Sequence, residues 1–162
     1  MKLFVMVLKI ELKPGEKFIL GPSVITNGGH RTRLFISGKA PILREKDILT
    51  KETADTPAKR IYLVIQLMYL DQGSGAHQDI YFDLVKYVLD TEPSMFQVID
   101  RINNNILIGS LYHALKEARA IIDYEQELIG HVQSGNDGLS ENEPDGGEPS
   151  RSGSDVVDEG GR

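Results

Sequence analysis

With 162 residues, 40% of them hydrophobic, the chain has material for one modest core shared by two small modules. It contains no cysteine, which excludes disulfide frameworks, thiolate-bound zinc, iron–sulfur clusters and thiol nucleophiles. The formal charge of −6 hides a division: residues 1–60 carry 12 basic and 6 acidic side chains, residues 61–133 carry 4 and 10, and residues 134–162 carry 2 and 8. A basic first third in an acidic chain fits an anionic partner for that third and a different partner for the rest, or an ordinary solvated surface.

The opening MKLFVMVLKI already contains Lys9 and runs into Glu11 and Lys13 where a secretory signal needs a longer apolar core, so it reads as a first strand. No stretch reaches the roughly 18 consecutive apolar residues of a membrane span, and a cytoplasmic location is expected. Residues 3–49 alternate with a period of two, broken by turn signals at Pro14-Gly15, Gly21-Pro22, Asn27-Gly28-Gly29 and Gly38, which predicts a meander of short antiparallel strands. Leu8, Ile10 and Leu12 share the core face of the first strand, and Lys9, Glu11 and Lys13 the other. Phe18 and Leu20 continue the core face. After the Asn-Gly turn, Thr32, Leu34 and Ile36 point one way and Arg31, Arg33 and Phe35 the other.

Beyond Lys51 the period becomes helical. Thr56 is a predicted N-cap with Pro57 at the first helical position, and Ile61, Val64, Ile65 and Met68 form the buried stripe of a helix ending near Leu70. Asp71 to His77 is a loop. A second helix from Gln78 to Leu89 is expected to bury Ile80, Leu84, Val85 and Val88, Pro93-Ser94 starts a third, and a longer helix follows Gly109. In that last helix Tyr112, Leu115, Ile122 and Leu128 are placed toward the core, and Lys116, Glu117, Arg119 and Glu125 away from it. The fold class is α+β, with a basic β module over 1–52, a helical domain of about four helices over 53–131, and an acidic tail over 132–162 whose composition cannot offset its ordering entropy and reads as disordered.

Catalytic patterns are missing. His113 and Glu117 lie one helical turn apart, but no third ligand is placed, so an exposed helical pair is the simpler reading. Gly73-Ser74-Gly75 lacks the third glycine and the preceding strand of a dinucleotide site, and Asp71, Asp79 and Asp83 lack calcium-loop spacing. No cofactor, metal site or enzymatic activity is expected. The constellation above background is Arg31, Arg33 and Phe35 with Lys9, Lys13, Arg44 and Lys46: cations to follow phosphates and a ring on which unpaired bases stack. The same pattern also describes the soluble outer face of a sheet. The acidic helical half is expected to repel RNA and to contact proteins instead.

The runs LKPGEKFILGPSVI, RTRLFI, APILREKDIL and ADTPAKRIYLVIQLMYLD resemble the flagellum biosynthesis repressor family FlbT, from about Leu8 to Ile129. MVLKIELKPGE is similar to the family's usual beginning, so Met6 as well as Met1 can be the start. The resemblance implies a post-transcriptional regulator that associates with the untranslated leader of flagellin messenger RNA and lowers its translation or lifetime. It also implies a functional partner, the flagellar regulator FlaF, and no catalytic residue. Some members of the family promote flagellin production, so the direction of the effect stays open. Residues 8–49 are also similar, more loosely, to the carbon storage regulator family CsrA, in which two chains interlace. There Arg44 in LREKDI matches the RNA-contacting arginine and Lys9 a basic residue of the first strand, which would make the module a dimer. The alternative reading is a helical protein-binding adaptor in flagellar assembly.

Overall fold

The fold comes from a computed structural model and is described for residues 7–136, so both possible start residues and the stretch 137–162 lie outside the described part. Five strands come first: β1 (Val7–Leu12), β2 (Lys17–Leu20), β3 (Ser23–Thr26), β4 (Thr32–Ser37) and β5 (Ile42–Arg44). Four helices follow: α1 (Pro57–Leu70), α2 (Gln78–Thr91), α3 (Phe96–Leu107) and α4 (Leu111–Asn136). This is the expected α+β architecture, with single 3-10 turns at Glu45–Asp47 and Pro93–Met95. Among the described residues no helix is long and apolar enough to cross a membrane.

The strands form two small antiparallel sheets, β1 with β4 and β3-β2-β5. Gly21, at a φ of 57°, opens the two-residue turn that lets Leu20 pair directly with Ser23. Between the sheets lies a small core of Ile10, Leu12 and Phe18, flanked by Leu20, Ile25, Leu34, Ile36 and Ile42. The alternation of β4 is as expected: Thr32, Leu34 and Ile36 face inward while Arg33 and Phe35 face solvent. Leu8 is the exception on β1. It remains 48% exposed because it lies at the open end of the inner face, beside Tyr69 and Tyr112 of the helices.

The larger core sits among the helices and reaches into the sheet through Leu43. Helix α1 is its centre, capped as the sequence predicts: Thr56 accepts from the Lys59 amide, and Glu125 of α4 accepts from the Ala58 amide at 3.2 Å. Helix α4 packs on α1 through Ala114, Leu115, Ala118, Ile121 and Ile122, two alanines allowing close approach. Leu115 and Ile122 are buried as expected, but Tyr112 is 45% exposed and Leu128 lies at the rim, which corrects the expectation for those two. On helix α2, Val85 and Val88 are buried and Leu84 packs against the core as expected, while Ile80 is exposed and Tyr81 enters in its place, its buried hydroxyl donating to Asn103 of α3 at 2.6 Å. Helix α4 continues to Asn136, so residues 132–136, expected in the tail, are helical.

The β module and the helices share one polar seam. Tyr62, Gln66 and Tyr69 are spaced by four and three residues on one face of α1. Tyr62 donates to the Asp47 carbonyl at 2.6 Å, Gln66 exchanges two bonds with the Leu49 backbone, and Tyr69 bonds both backbone groups of Ile42. The segment from β5 to Leu49 thereby finds its backbone partners on a helix instead of a further strand.

Candidate nucleic-acid interface

Antiparallel register brings the two halves of the basic pattern together. Lys9 stands opposite Phe35, and Glu11 opposite Arg33, all on the outer face of the β1-β4 sheet. Phe35 is 66% exposed, an aromatic ring with a lysine as its cross-strand neighbour. Arg33 reaches across to Glu11 with both Nε (3.2 Å) and an Nη (2.9 Å). That hydrogen bond and charge hold the Glu11 carboxyl below its ordinary range, with help from Lys9.

The outer face turns at its edge into a cleft of about 590 Å³ lined by Lys13, Arg31, Arg44 and Lys46 together with Glu11, Glu16 and Glu45. Asn27 builds this rim: its side-chain amide donates to the carbonyls of Lys13 and His30, both at 2.8 Å, which fixes Lys13 beside Arg31. The three acids are already engaged. Glu11 holds Arg33, Glu16 accepts from the Lys13 amide and from Arg44, and Glu45 accepts from the Lys17 amide. Among the described residues Lys9, Lys13, Arg31 and Lys46 make no ion pair, so their charge is available to a ligand.

Arg44 is placed differently. Its Nη donates to the Glu11 carbonyl at 2.6 Å and to Glu16 at 3.0 Å, and its Nε is buried with no hydrogen-bond partner among the described residues. It ties β5 of one sheet to β1 of the other. The Lys13 amide, and then Arg44, hold Glu16 below the ordinary carboxylate range.

The other side chains considered from the sequence do not converge. His113 bonds Ser110 at 2.8 Å while Glu117 pairs with Arg101 at 3.1 Å, and His77 bonds Asp71 at 2.7 Å within its own loop. Among the described residues no cluster of three or more His, Asp or Glu side chains is arranged to hold a metal ion.

Fold and surface together define a small α+β protein whose cation-rich sheet face is braced by a helical domain. The chain belongs to the flagellar protein FlbT family, whose model matches residues 8–129. It is 52% identical over 130 residues to the probable flagellum biosynthesis repressor protein FlbT 1 of Bradyrhizobium diazoefficiens, covering 80% of this chain and 89% of that one. It is also 52% identical to the probable repressor FlbT of Rhodopseudomonas palustris, over 76% of this chain and 98% of the relative. The flagellum biosynthesis repressor protein FlbT of Caulobacter vibrioides is 38% identical, over 80% and 94%. No solved structure matches the chain.

Proposed function

We propose that this protein regulates flagellum biosynthesis after transcription, by holding the untranslated leader of flagellin messenger RNA on the β module and lowering its translation or lifetime. The names of its relatives support repression of flagellum synthesis. The observation that carries the RNA reading is the pairing of Lys9 with Phe35 next to Lys13, Arg31 and Lys46, which make no ion pair among the described residues. Phosphates are followed by the cations and an unpaired base stacks on Phe35, while Arg33 is released from Glu11 as the RNA arrives. Arg44 serves as the brace that keeps both sheets in register beneath that surface. The proposed partners are this messenger, the flagellar regulator FlaF and a second copy of the chain, and the cytoplasm is the compartment in which they meet.

The test is binding of the full chain to flagellin leader RNA across a salt series. Neutralising three or four phosphates gives a log–log slope of about −2 to −3 for a single strand. The combined substitution Lys9→Ala, Arg31→Ala, Arg33→Ala should remove most of that slope and of the affinity. Salt-independent binding, or equal binding by the variant, would exclude the β face.

A second reading, a protein-binding adaptor, is favoured by one observation: Ile80, Phe82 and Tyr87 are all more than half exposed along α2. A FlaF complex that survives the triple substitution and is lost on changing Ile80 and Tyr87 would select it.

A further inference from the structure

Three adjoining clefts meet at one side chain, Tyr112, where α4 starts against the β module. The first, about 430 Å³, runs along Leu8, Lys9, Arg44 and Asp47. The second, about 290 Å³, runs along Lys46, Lys116 and Arg119. The third, about 320 Å³, contains Lys39 and Tyr69. Together their walls carry six cations and one carboxylate, Asp47, and that carboxylate already accepts from Arg119 at 3.3 Å. The edge cleft of the β module is far less basic, with four cations against three acids. Lys46 lines both, so the two surfaces are continuous.

We infer that the Tyr112 seam is a second nucleotide-binding segment, on which the single strand leaving the β face stacks a base on the Tyr112 ring while Lys39, Lys46 and Lys116 follow its phosphates. This rests on the RNA reading above and extends it onto the helical domain, against the expectation that the acidic half repels RNA. Tyr112 is suited to the task because α4 turns it out of the core, and Tyr69 supports it with ring centroids 5.9 Å apart. The Lys116 ammonium lies over the ring at 4.8 Å. An arriving base takes the place of that ammonium, which then swings to a phosphate. An electron-rich ring under a cation and a ring under a base are alternative uses of the same face.

The full chain contains no tryptophan, so Tyr112→Trp installs a single reporter at the site. Titration with flagellin leader RNA should quench and shift its fluorescence with affinity within about threefold of the parent. Tyr112→Leu should weaken binding about tenfold, Tyr112→Phe by less than twofold, and Lys116→Gln should lower the salt slope by about 0.7. Unchanged thermal midpoints verify that these exposed substitutions leave the fold intact. If the β-face triple variant loses binding while Tyr112→Leu and Lys116→Gln bind like the parent and the tryptophan is silent, the seam is overturned and the β-face reading stands. If seam variants lose binding and the triple variant does not, the seam stands and the β face falls. Absence of RNA binding by the parent protein overturns both.

Discussion

Gln66 and Leu49 exchange a matched pair of hydrogen bonds: the Leu49 amide donates to Gln66 Oε1 at 2.9 Å, and Gln66 Nε2 donates to the Leu49 carbonyl at 3.0 Å. A side-chain amide here replaces a neighbouring strand for a backbone that has none. Gln66 is also a buried polar side chain within the helical core, 4% exposed. Gln66→Leu keeps the volume but leaves two backbone groups without partners, and should lower unfolding free energy by about 1–3 kcal/mol. Urea unfolding followed by circular dichroism measures it. A loss below about 0.5 kcal/mol would mean that Leu49 regains water freely and that Gln66 is not the tie.

Arg44 separates bracing from binding. Arg44→Ala breaks its bonds to Glu11 and Glu16 and leaves the β1-β2 turn without its link to β5. The urea unfolding midpoint should fall, because the bond to the Glu11 carbonyl at 2.6 Å and the charge-assisted bond to Glu16 are both lost. RNA affinity measured well below the unfolding midpoint should change less than threefold. A larger loss in a fully folded variant would make Arg44 an RNA contact after all.

The sequence revealed most where pairing is local and least where it depends on a neighbour. Strand alternation placed Arg33 and Phe35 outward and Leu34 and Ile36 inward because a period of two leaves one choice of face. The Thr56-Pro57 helix start was legible because a cap is a short-range bond. A helical stripe is less decisive. Ile80 and Tyr81 differ by about 100° around α2, and the partner of the buried Tyr81 hydroxyl, Asn103, lies on another helix 22 residues away. On α4 the stripe places Leu115 and Ile122 in the core but does not show that Tyr112, at the first turn, is left exposed beside the β module. The bond from Arg44 to Glu16 joins residues 28 positions apart, and nothing in LREKDI shows that Glu16 lies beside it.

Acid should unfold the protein through its paired carboxylates. Glu11, Glu16, Glu52 and Asp55 all lie below their ordinary range. The causes that lower them are led respectively by Arg33, the Lys13 amide, Glu52's own backbone amide and Lys59. A depressed folded-state value means that the stabilisation is complete above the unfolded carboxylate range near pH 4 to 4.5 and is lost as pH falls through the folded values. The thermal midpoint should therefore be flat from pH 7 to about 5 and fall below that. Glu16→Gln should shrink the fall, and a midpoint that declines between pH 7 and 5 would require a different titrating group.

Glu11 limits the RNA face that Arg33 helps to form. Its carboxylate holds the guanidinium at 2.9 Å and is the acid in the Lys9, Glu11, Arg33, Phe35 group, so a phosphate must compete with it. Glu11→Gln removes one negative charge from the face, keeps a hydrogen-bond acceptor for Arg33 and leaves the Arg44 contact untouched, because Arg44 bonds the Glu11 backbone carbonyl. On the RNA reading this variant should bind leader RNA about three- to tenfold more tightly, with a slope steeper by up to about 0.7 as Arg33 becomes a full phosphate contact. The pair is open to water and screened by it, so it contributes little to stability and the fold should tolerate the change. Unchanged or weaker affinity, measured at two salt concentrations, would place Arg33 outside the RNA contact and leave Lys9, Phe35 and the basic cleft to act without it.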